Sequence, residues 1–425
     1  MTVPEKYYTF LDRRWPVNAV ISADLDRCFD PAEVARAWQE LRVRRVVARA
    51  VATEELTIAD PGPDPDGAVF RTREADPEQW PAIIEELSDA HYDLGTPVQC
   101  WYVTSPATGT SRVVLVGHHA IIDGRIGVTE LQWLVRLLDG QQVPEQQQLA
   151  AEPEPVATHP WQQSRSAMID LLRELKTRNA TYGEPGPATW PDASVPRRSW
   201  MRQDALGPDE VAPLVATGRA HGANLFSTVA AALLTSTARV LGGARDDAPE
   251  VTLQFAAPAD IAAPSTDPDR AQAMAIAVLA QPYRVDVTDL WRLSADIRAT
   301  VHEARARGEG ELFFHLARLE KVVDLDAGRD LVSGALASGH PCVVVSNLGV
   351  TDPGTDPAWL TAIQGQLAAA PNQMVFLAIN SYRGRLLHTF STDDNRVAPD
   401  QRDALIRGYR AILRRLAEEA AGPTG

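Results

Sequence analysis

The stretch Val113–Gly140, VVLVGHHAIIDGRIGVTELQWLVRLLDG, combines a strand pattern, a pair of histidines and a helix pattern. A short apolar run ends at Gly117, His118 and His119 follow, and apolar residues then recur at helical spacing as far as Leu138. A strand that feeds a turn and a helix holds a side chain rigidly while leaving its tip accessible. His118, His119 and Asp123 lie within six residues in a chain with nine histidines. The stretch therefore predicts a functional site.

The length and composition indicate a globular protein of two domains. At 425 residues the chain is too long for one ordinary core, and its 45% hydrophobic and 23% charged residues are typical of globular proteins. The pattern of helices and strands is interrupted most clearly by Gly183–Pro196, a segment rich in Pro and Gly. We predict an N-terminal lobe over 1–182 that carries the histidines, a linker over 183–198 and a C-terminal lobe over 199–425.

Charge, hydropathy and cysteine spacing exclude several classes of function. The formal net charge of -15 argues against nucleic acid as a partner, since phosphate binding needs a basic surface, and it also disfavours docking to an acidic carrier protein. No apolar run approaches the roughly 20 residues of a membrane span, and the N-terminus has no secretory signal. Cys28, Cys100 and Cys342 are far apart and fit neither a disulfide framework nor a zinc site. We therefore expect a cytoplasmic protein without a membrane span.

Both halves of the chain mix helices with strands. The runs at Val98–Val103 and Val113 predict an antiparallel hairpin whose second strand ends at His118 and His119. In the second half the patterns predict helices and strands in alternation, which favours two α/β lobes of mixed sheet over a TIM barrel or a Rossmann sheet. The strands predicted there lie near Ser199 and at Val251–Ala256, Met274–Leu279, Cys342–Val345, Met374–Asn380 and Leu386–Ser391.

The residues His118–Gly124 match the pattern HHxxxDG. In this the sequence resembles the chloramphenicol acetyltransferase-like superfamily, which includes non-ribosomal peptide condensation domains and polyketide-associated acyltransferases. Gly127 and the apolar helix around it resemble the phthiocerol dimycocerosyl transferase-like members. Asp93–Pro97 resembles the family's segment before the hairpin, and Ser346–Gly349 resembles its SN-x-G turn.

The resemblance implies two chloramphenicol-acetyltransferase-like lobes in a V-shaped arrangement with the motif at their interface. It implies an acyltransferase that moves an acyl group from coenzyme A or a carrier protein to a hydroxyl or amine of a specialised-metabolite or lipid acceptor. His119 would be the general base, with His118, Asp123 and Gly124 in supporting roles and Asp123 paired with an arginine. No cofactor is then bound permanently. The phosphopantetheine-linked donor is a substrate, any carrier protein is met in trans, and a monomer is expected.

The residue types alone leave other roles open for these side chains. Histidine is the usual base for acyl transfer because its pKa lies near neutrality. A metal site built from the two histidines and Asp123 is disfavoured, because adjacent side chains diverge from an extended strand, and no metal is predicted. Ser346 and Asn347 follow a β-run and either stabilise an oxyanion at the domain junction or cap a turn.

The sequence also departs from its relatives. No DFGWG segment is present, which disfavours the plant acyltransferase branch. Many relatives carry an arginine after a strand end that here reads Pro258–Ile261 and continues with Ala262, so the partner of Asp123 is left open. The second hypothesis is therefore a non-catalytic module that binds a carrier-tethered intermediate, and a third is an enzyme repurposed for cyclisation, dehydration or epimerisation.

Overall fold

The computed structural model describes residues 1–62, 69–146, 159–183, 185, 195–245, 247–260, 274, 276–338 and 340–421. Most of the predicted linker 183–198 lies outside these residues. The helices are α1 (Val3–Asp12), α2 (Pro31–Arg44), α3 (Trp80–Asp89), α4 (Gly124–Leu138), α5 (Pro160–Gln163), α6 (Arg165–Tyr182), α7 (Pro208–Ala220), α8 (Leu225–Val240), α9 (Leu290–Ala306), α10 (Glu309–Ala317), α11 (Leu325–Ser338) and α12 (Pro399–Ala421). The strands are β1 (Asn18–Leu25), β2 (Val51–Ala52), β3 (Ile58–Ala59), β4 (Phe70–Glu74), β5 (Gln99–Ser105), β6 (Thr110–His118), β7 (Ser199–Leu206), β8 (Glu250–Asp260), β9 (Ile276–Asp286), β10 (Cys342–Val350), β11 (Leu360–Leu367), β12 (Gln373–Tyr382) and β13 (Arg385–Asp393).

The first large sheet has the strand order β11-β1-β6-β5-β4 and delivers the histidine motif. All of its neighbours pair antiparallel except β4 and β5. Apolar residues of α2 and α4, such as Trp38 and Leu131, pack with Ile21 and Leu115 on one face. Ile83 and Ile84 of α3 pack with Val114 on the other face. The central strand β6 is therefore buried on both faces, which fixes the strand end at His118.

The second large sheet has the strand order β7-β13-β12-β10-β8-β9. Its strands β8, β10 and β12 are parallel, and the outer strands are antiparallel. One face is covered by α8, α9 and α12, and α8 is buried along nearly its whole length, as its apolar sequence requires. The other face carries small and apolar side chains and faces the first sheet.

Strand β11 joins the two sheets. It follows β10 of the second sheet, pairs antiparallel with β1 of the first, and the chain then returns to the second sheet as β12. Asn380 of β12 donates a hydrogen bond of 2.8 Å to the backbone oxygen of Ile363 in β11. A strand from the second half of the chain thus completes the first sheet. The predicted boundaries at 182 and 199 stay a prediction, and β11 shows that the two lobes are interlocked across them.

The predicted α/β class with two lobes of mixed sheet and helices is confirmed. The hairpin is formed by β5 and β6, and β6 ends at His118. Helices α5 and α6 are separated by Ser164, whose side chain caps α6 by accepting a hydrogen bond from the backbone N–H of Ala167. Within the described part of the chain, no helix has the length and apolar character needed to cross a membrane.

Candidate active site

The histidine motif forms a tight turn between β6 and α4. His118 is the last residue of β6, and the backbone N–H of His119 donates to the oxygen of Val17 beside β1 at 2.9 Å. The backbone N–H of Ile121 then donates to the oxygen of His118 at 2.8 Å, which closes the turn. The turn is bonded to its own strand and to β1, so the two imidazole rings are held on a rigid part of the fold.

His119 has a fixed tautomer. Its Nδ1 lies 3.1 Å from the backbone oxygen of Ile122, and because a carbonyl only accepts, Nδ1 must carry the proton. The neutral ring therefore has its lone pair on Nε2. The ring stacks on Tyr8 of α1 with 3.9 Å between centroids and 30° between planes, and the residue is only 6% exposed. Burial lowers the pKa of His119 to about 4, so the ring is uncharged at neutral pH.

The ring of His118 lies against Asp12 and not against Tyr8. Its Nδ1 accepts a hydrogen bond of 3.0 Å from the backbone N–H of Ala120, so its proton is on Nε2. That nitrogen lies 3.5 Å from Oδ2 of Asp12 at the end of α1. The ring is 2% exposed and is absent from the lining of the large cavity described below. Its contacts are those of a side chain that supports the turn.

Asp123 and Gly124 start helix α4. The Oδ1 atom of Asp123 accepts from the backbone N–H of Ile126 at 2.7 Å, which is an N-cap. Gly124 is needed for close approach, since a Cβ there would lie 2.2 Å from Cδ2 of Leu348 in β10. The motif of the first half therefore packs directly on the SNLG segment of the second half.

No ion pair joins Asp123 to an arginine within the described residues, although the resemblance led us to expect one. The arginine nearest in sequence, Arg125, instead donates from Nη1 to Oδ2 of Asp260 at the end of β8, at 2.9 Å. Asp260 belongs to the strand end at which relatives carry an arginine. Among the described residues, the cation at this strand end thus comes from α4 and bonds Asp260.

A cavity of about 710 Å³ lies between the two sheets and brings the predicted site residues together. His119, Asp123 and Gly124 line it from the first half, and Ser346 and Asn347 line it from the second. This volume is typical of a site for a small-molecule substrate. Five of the six residues singled out from the sequence therefore face one space, and His118 is the exception.

Ser346 and Asn347 differ in what they bond. Asn347 Oδ1 accepts from the backbone N–H of Gly349 at 2.9 Å, and Gly349 has a φ of +77°, which is the geometry of a capped turn. Ser346 is half-buried, and its side chain forms no such cap among the contacts of the described residues. The turn-cap interpretation therefore fits Asn347. The contacts of the Ser346 hydroxyl do not distinguish between a turn cap and an oxyanion donor.

Sequence reasoning missed the aromatic wall of the cavity. The ring of Tyr8, which stacks on His119, contacts the ring of Tyr7 at 5.2 Å between centroids. The ring of Tyr7 in turn contacts those of Phe313 at 5.9 Å and Phe314 at 5.7 Å. We call Tyr8, Tyr7, Phe313 and Phe314 the aromatic row, and all four line the cavity. Tyr7 and Tyr8 lie on α1, whose start was signalled by the capping box Thr2–Glu5.

A metal centre finds no support in the arrangement. His118 points toward Asp12 and His119 toward Tyr8, so the two rings diverge. Within the described ranges, no three His, Cys, Asp or Glu side chains are grouped to hold a metal ion. The three cysteines are free thiols, with Cys28 exposed and Cys100 and Cys342 buried.

The fold is similar to that of several solved structures. Polyketide synthase associated protein 5 from Mycobacterium tuberculosis matches with a TM-score of 0.61 and 16% identity over 97% of each chain. TRI3 trichothecene 15-O-acetyltransferase from Fusarium sporotrichioides matches with a TM-score of 0.70 and 11% identity, over 97% of this chain and 93% of that one. The first condensation domain of the CDA synthetase matches with a TM-score of 0.63 and 17% identity, over 98% and 94%.

No protein-family model matches the sequence, and no curated protein matches it. At 11–17% identity the structural likeness establishes the fold and not the activity. It extends over nearly the whole of both chains, so it covers the two lobes and not one of them. The chain therefore has the two-lobed fold that condensation domains share with a trichothecene acetyltransferase, as the HHxxxDG resemblance predicted.

Proposed function

We propose that the protein is an acyltransferase that moves an acyl group from a coenzyme A or carrier-protein thioester to a hydroxyl or amine, with His119 as general base. The observation that carries the proposal is the fixed tautomer of His119. Because the oxygen of Ile122 holds the proton on Nδ1, the lone pair of Nε2 is available in a cavity of substrate size. The fold shared with an acetyltransferase and with condensation domains supports the same reaction class.

In the proposed reaction Nε2 takes the proton of the acceptor hydroxyl or amine while its oxygen or nitrogen bonds to the thioester carbonyl carbon. The tetrahedral intermediate then breaks its C–S bond, and the imidazolium returns the proton to the leaving thiolate. The products are an ester or amide and a free thiol, so no covalent acyl-enzyme is needed. A buried imidazolium is acidic because burial lowers the pKa of His119, which favours the second proton transfer.

The hydroxyl of Ser346 is the proposed donor to the oxyanion of that intermediate. It lines the same cavity as His119, from the second half of the chain, and a group that stabilises the oxyanion has to face the reacting carbonyl. The side-chain oxygen of Asn347 is already bonded in its turn. We therefore assign the role to Ser346 and the capping of the turn to Asn347.

The aromatic row indicates the kind of substrate. It leads from His119 to Phe313, which is 41% exposed, and it offers hydrocarbon surface with two phenol groups as its polar atoms. A pantetheine arm has amide groups that need hydrogen-bond partners, whereas an apolar chain needs only such a surface. We propose that an apolar part of the acyl group or of a lipid-like acceptor lies along the row, and that a phosphopantetheine-linked donor meets it at His119.

The test is the release of free thiol from a panel of acyl-CoA and acyl-carrier thioesters, with alcohols and amines as acceptors. We expect acceptor-dependent release that improves with apolar chain length in the donor series or in the acceptor series. Phe313→Asp should raise the KM of the long-chain substrate about tenfold, the equivalent of roughly 1.4 kcal/mol of lost apolar contact. Leu316→Asp is the matched control, because Leu316 lies on the same helix, is 49% exposed and does not line the cavity.

Binding of the thioesters without any thiol release by the wild-type protein would contradict the proposal. It would favour the non-catalytic module that binds a carrier-tethered intermediate. Release of thiol without transfer to the acceptor would instead favour a hydrolytic or otherwise repurposed enzyme.

A further inference from the structure

The hydroxyl group of Tyr8 is a hydrogen-bond donor that the fold leaves unused beside the proposed base. Tyr8 lines the large cavity and keeps 8% of its surface exposed. Its hydroxyl oxygen forms no hydrogen bond with a described residue, yet it is not one of the unpaired oxygens that are fully buried, so it is open to the cavity. A donor in this position is free to bond a molecule that occupies the cavity.

The position of this hydroxyl is fixed by contacts on both sides of the ring's helix. The imidazole of His119 stacks on the ring of Tyr8 at 3.9 Å between centroids. At the end of α1, Oδ1 of Asp12 accepts from the backbone N–H of Val17 at 2.8 Å, and Oδ2 lies 3.5 Å from Nε2 of His118. Helix α1 is thereby tied to the histidine turn. A donor whose position is set before substrate binds needs no reorganisation during the reaction.

The phenol of Tyr8 acts as a donor and not as a base. Burial raises the pKa of Tyr8 above its usual value, with smaller contributions from Tyr7 and Asp123, so the group keeps its proton at neutral pH. A phenol O–H donates readily to a carbonyl oxygen, and the hydrogen bond strengthens when that oxygen becomes negative. Stabilisation of this kind is greatest in the transition state, where it accelerates the reaction.

We propose that Tyr8 is a second catalytic residue, whose O–H donates a hydrogen bond to the carbonyl oxygen of the bound thioester and to the oxyanion that this oxygen becomes. The inference rests on the proposed function, since it takes the thioester to be attacked beside His119. Tyr8 and Ser346 are then two donors to one oxygen, from the first and second halves of the chain. Tyr8 keeps its proton throughout, and Nε2 of His119 carries the proton from the acceptor to the leaving thiolate.

Tyr8→Phe removes the hydroxyl oxygen and keeps the ring that covers His119. We expect kcat to fall by about 10²-fold, the usual loss for one oxyanion donor, with a smaller rise in KM. The acid limb of kcat/KM should stay where the wild type has it, because the stack on His119 is retained. Tyr92→Phe is the matched control and should retain the wild-type rate, since it removes a hydroxyl from a half-buried tyrosine outside the cavity.

Two results of this comparison would overturn the proposal. The first is a Tyr8→Phe protein that retains the wild-type kcat. The second is a loss of kcat together with an acid limb that moves toward 6.5, because that shift would show that the ring had moved and uncovered His119.

Binding of two unreactive analogues tests the hydrogen bond without turnover. Both derive from a long-chain acyl-CoA: in the ketone a methylene group separates the sulfur from the carbonyl, and the thioether has no carbonyl. Calorimetry should give a Kd for the ketone about five- to tenfold higher in Tyr8→Phe than in the wild type, and equal Kd values for the thioether.

The same change in Kd for both analogues would overturn the hydrogen bond, because the carbonyl would then make no difference. A wild-type protein that binds the analogues but transfers no acyl group would contradict the proposed function. In that case the comparison of the ketone with the thioether would still decide whether Tyr8 bonds the carbonyl.

Discussion

Burial of His119 sets the pH range in which the proposed base is active. The ring is stacked under Tyr8 and nearly closed off from solvent, which disfavours the imidazolium and lowers the pKa to about 4. An ordinary histidine has a pKa near 6.5, and each pKa unit corresponds to about 1.4 kcal/mol. The fold thus disfavours protonation of His119 by on the order of 3 kcal/mol.

The size of this shift in the pKa of His119 can be measured from activity at mildly acid pH. At pH 5.5 a ring with the ordinary pKa is about 9% unprotonated, and a ring with a pKa near 4 is about 97% unprotonated. We therefore expect the acid limb of kcat/KM, which reports the free enzyme, to lie near pH 4 to 5 and not near 6.5. Initial rates of thiol release between pH 4 and 8 give this profile, and circular dichroism at each pH confirms that the protein is folded.

Two adjacent tyrosines provide the variant and its control. Tyr8→Ala uncovers the ring of His119, so hydration of the imidazolium should move the acid limb upward toward 6.5. Tyr7→Ala removes the next ring of the aromatic row, which contacts Tyr8 and Phe313, and should leave the limb where it is while raising KM. A wild-type limb between 6 and 7, or the same limb in both variants, would refute the argument that burial under Tyr8 sets this pKa.

Three further predictions concern stability. Gly124→Ala should lower the free energy of unfolding by about 1–3 kcal/mol, because its methyl group would clash with Leu348. Adding Leu348→Ala should recover part of that loss, which denaturant unfolding of the double variant would show. Strictly additive losses would exclude the contact. Thr2→Ala should cost about 1 kcal/mol by removing the N-cap of α1, and an unchanged midpoint of unfolding would exclude that cap. Burial lowers the pKa of His388 to about 3, so the unfolded chain takes up its proton first and stability falls as pH drops from about 6.5 toward 3. His388→Gln should make that acid decline shallower, and an identical decline would mean that His388 is not buried in its neutral form.

The local features of the site could be predicted from the sequence. The hairpin and the strand end at His118 depend on neighbours within a few residues, and the structure has them where the patterns indicate. Asp123 was expected to pair with an arginine, and the structure instead uses it as the N-cap of α4. Gly124 was expected only in a supporting role, and the residue it contacts closely, Leu348, lies more than two hundred residues away along the chain.

The long-range features could not be predicted. Strand β11 has a weak alternation of apolar and polar residues, and its partner β1 is at the other end of the chain, so no local pattern assigns it to the first sheet. Helix α1 was passed over although Thr2 and Glu5 form a capping box, and with it the two tyrosines of the cavity wall were missed. The pairing of Arg125 with Asp260 depends on how two lobes meet, which a motif cannot specify.

The most direct test of the central claim compares the wild type with His119→Ala in acceptor-dependent thiol release from the best thioester donor of the panel. If His119 is the general base, kcat/KM should fall by about 10²–10⁴-fold. His302→Ala, which changes an exposed histidine of α9, serves as the matched control and should retain the wild-type rate. A folded His119→Ala protein that transfers the acyl group as fast as the wild type would contradict base catalysis by His119.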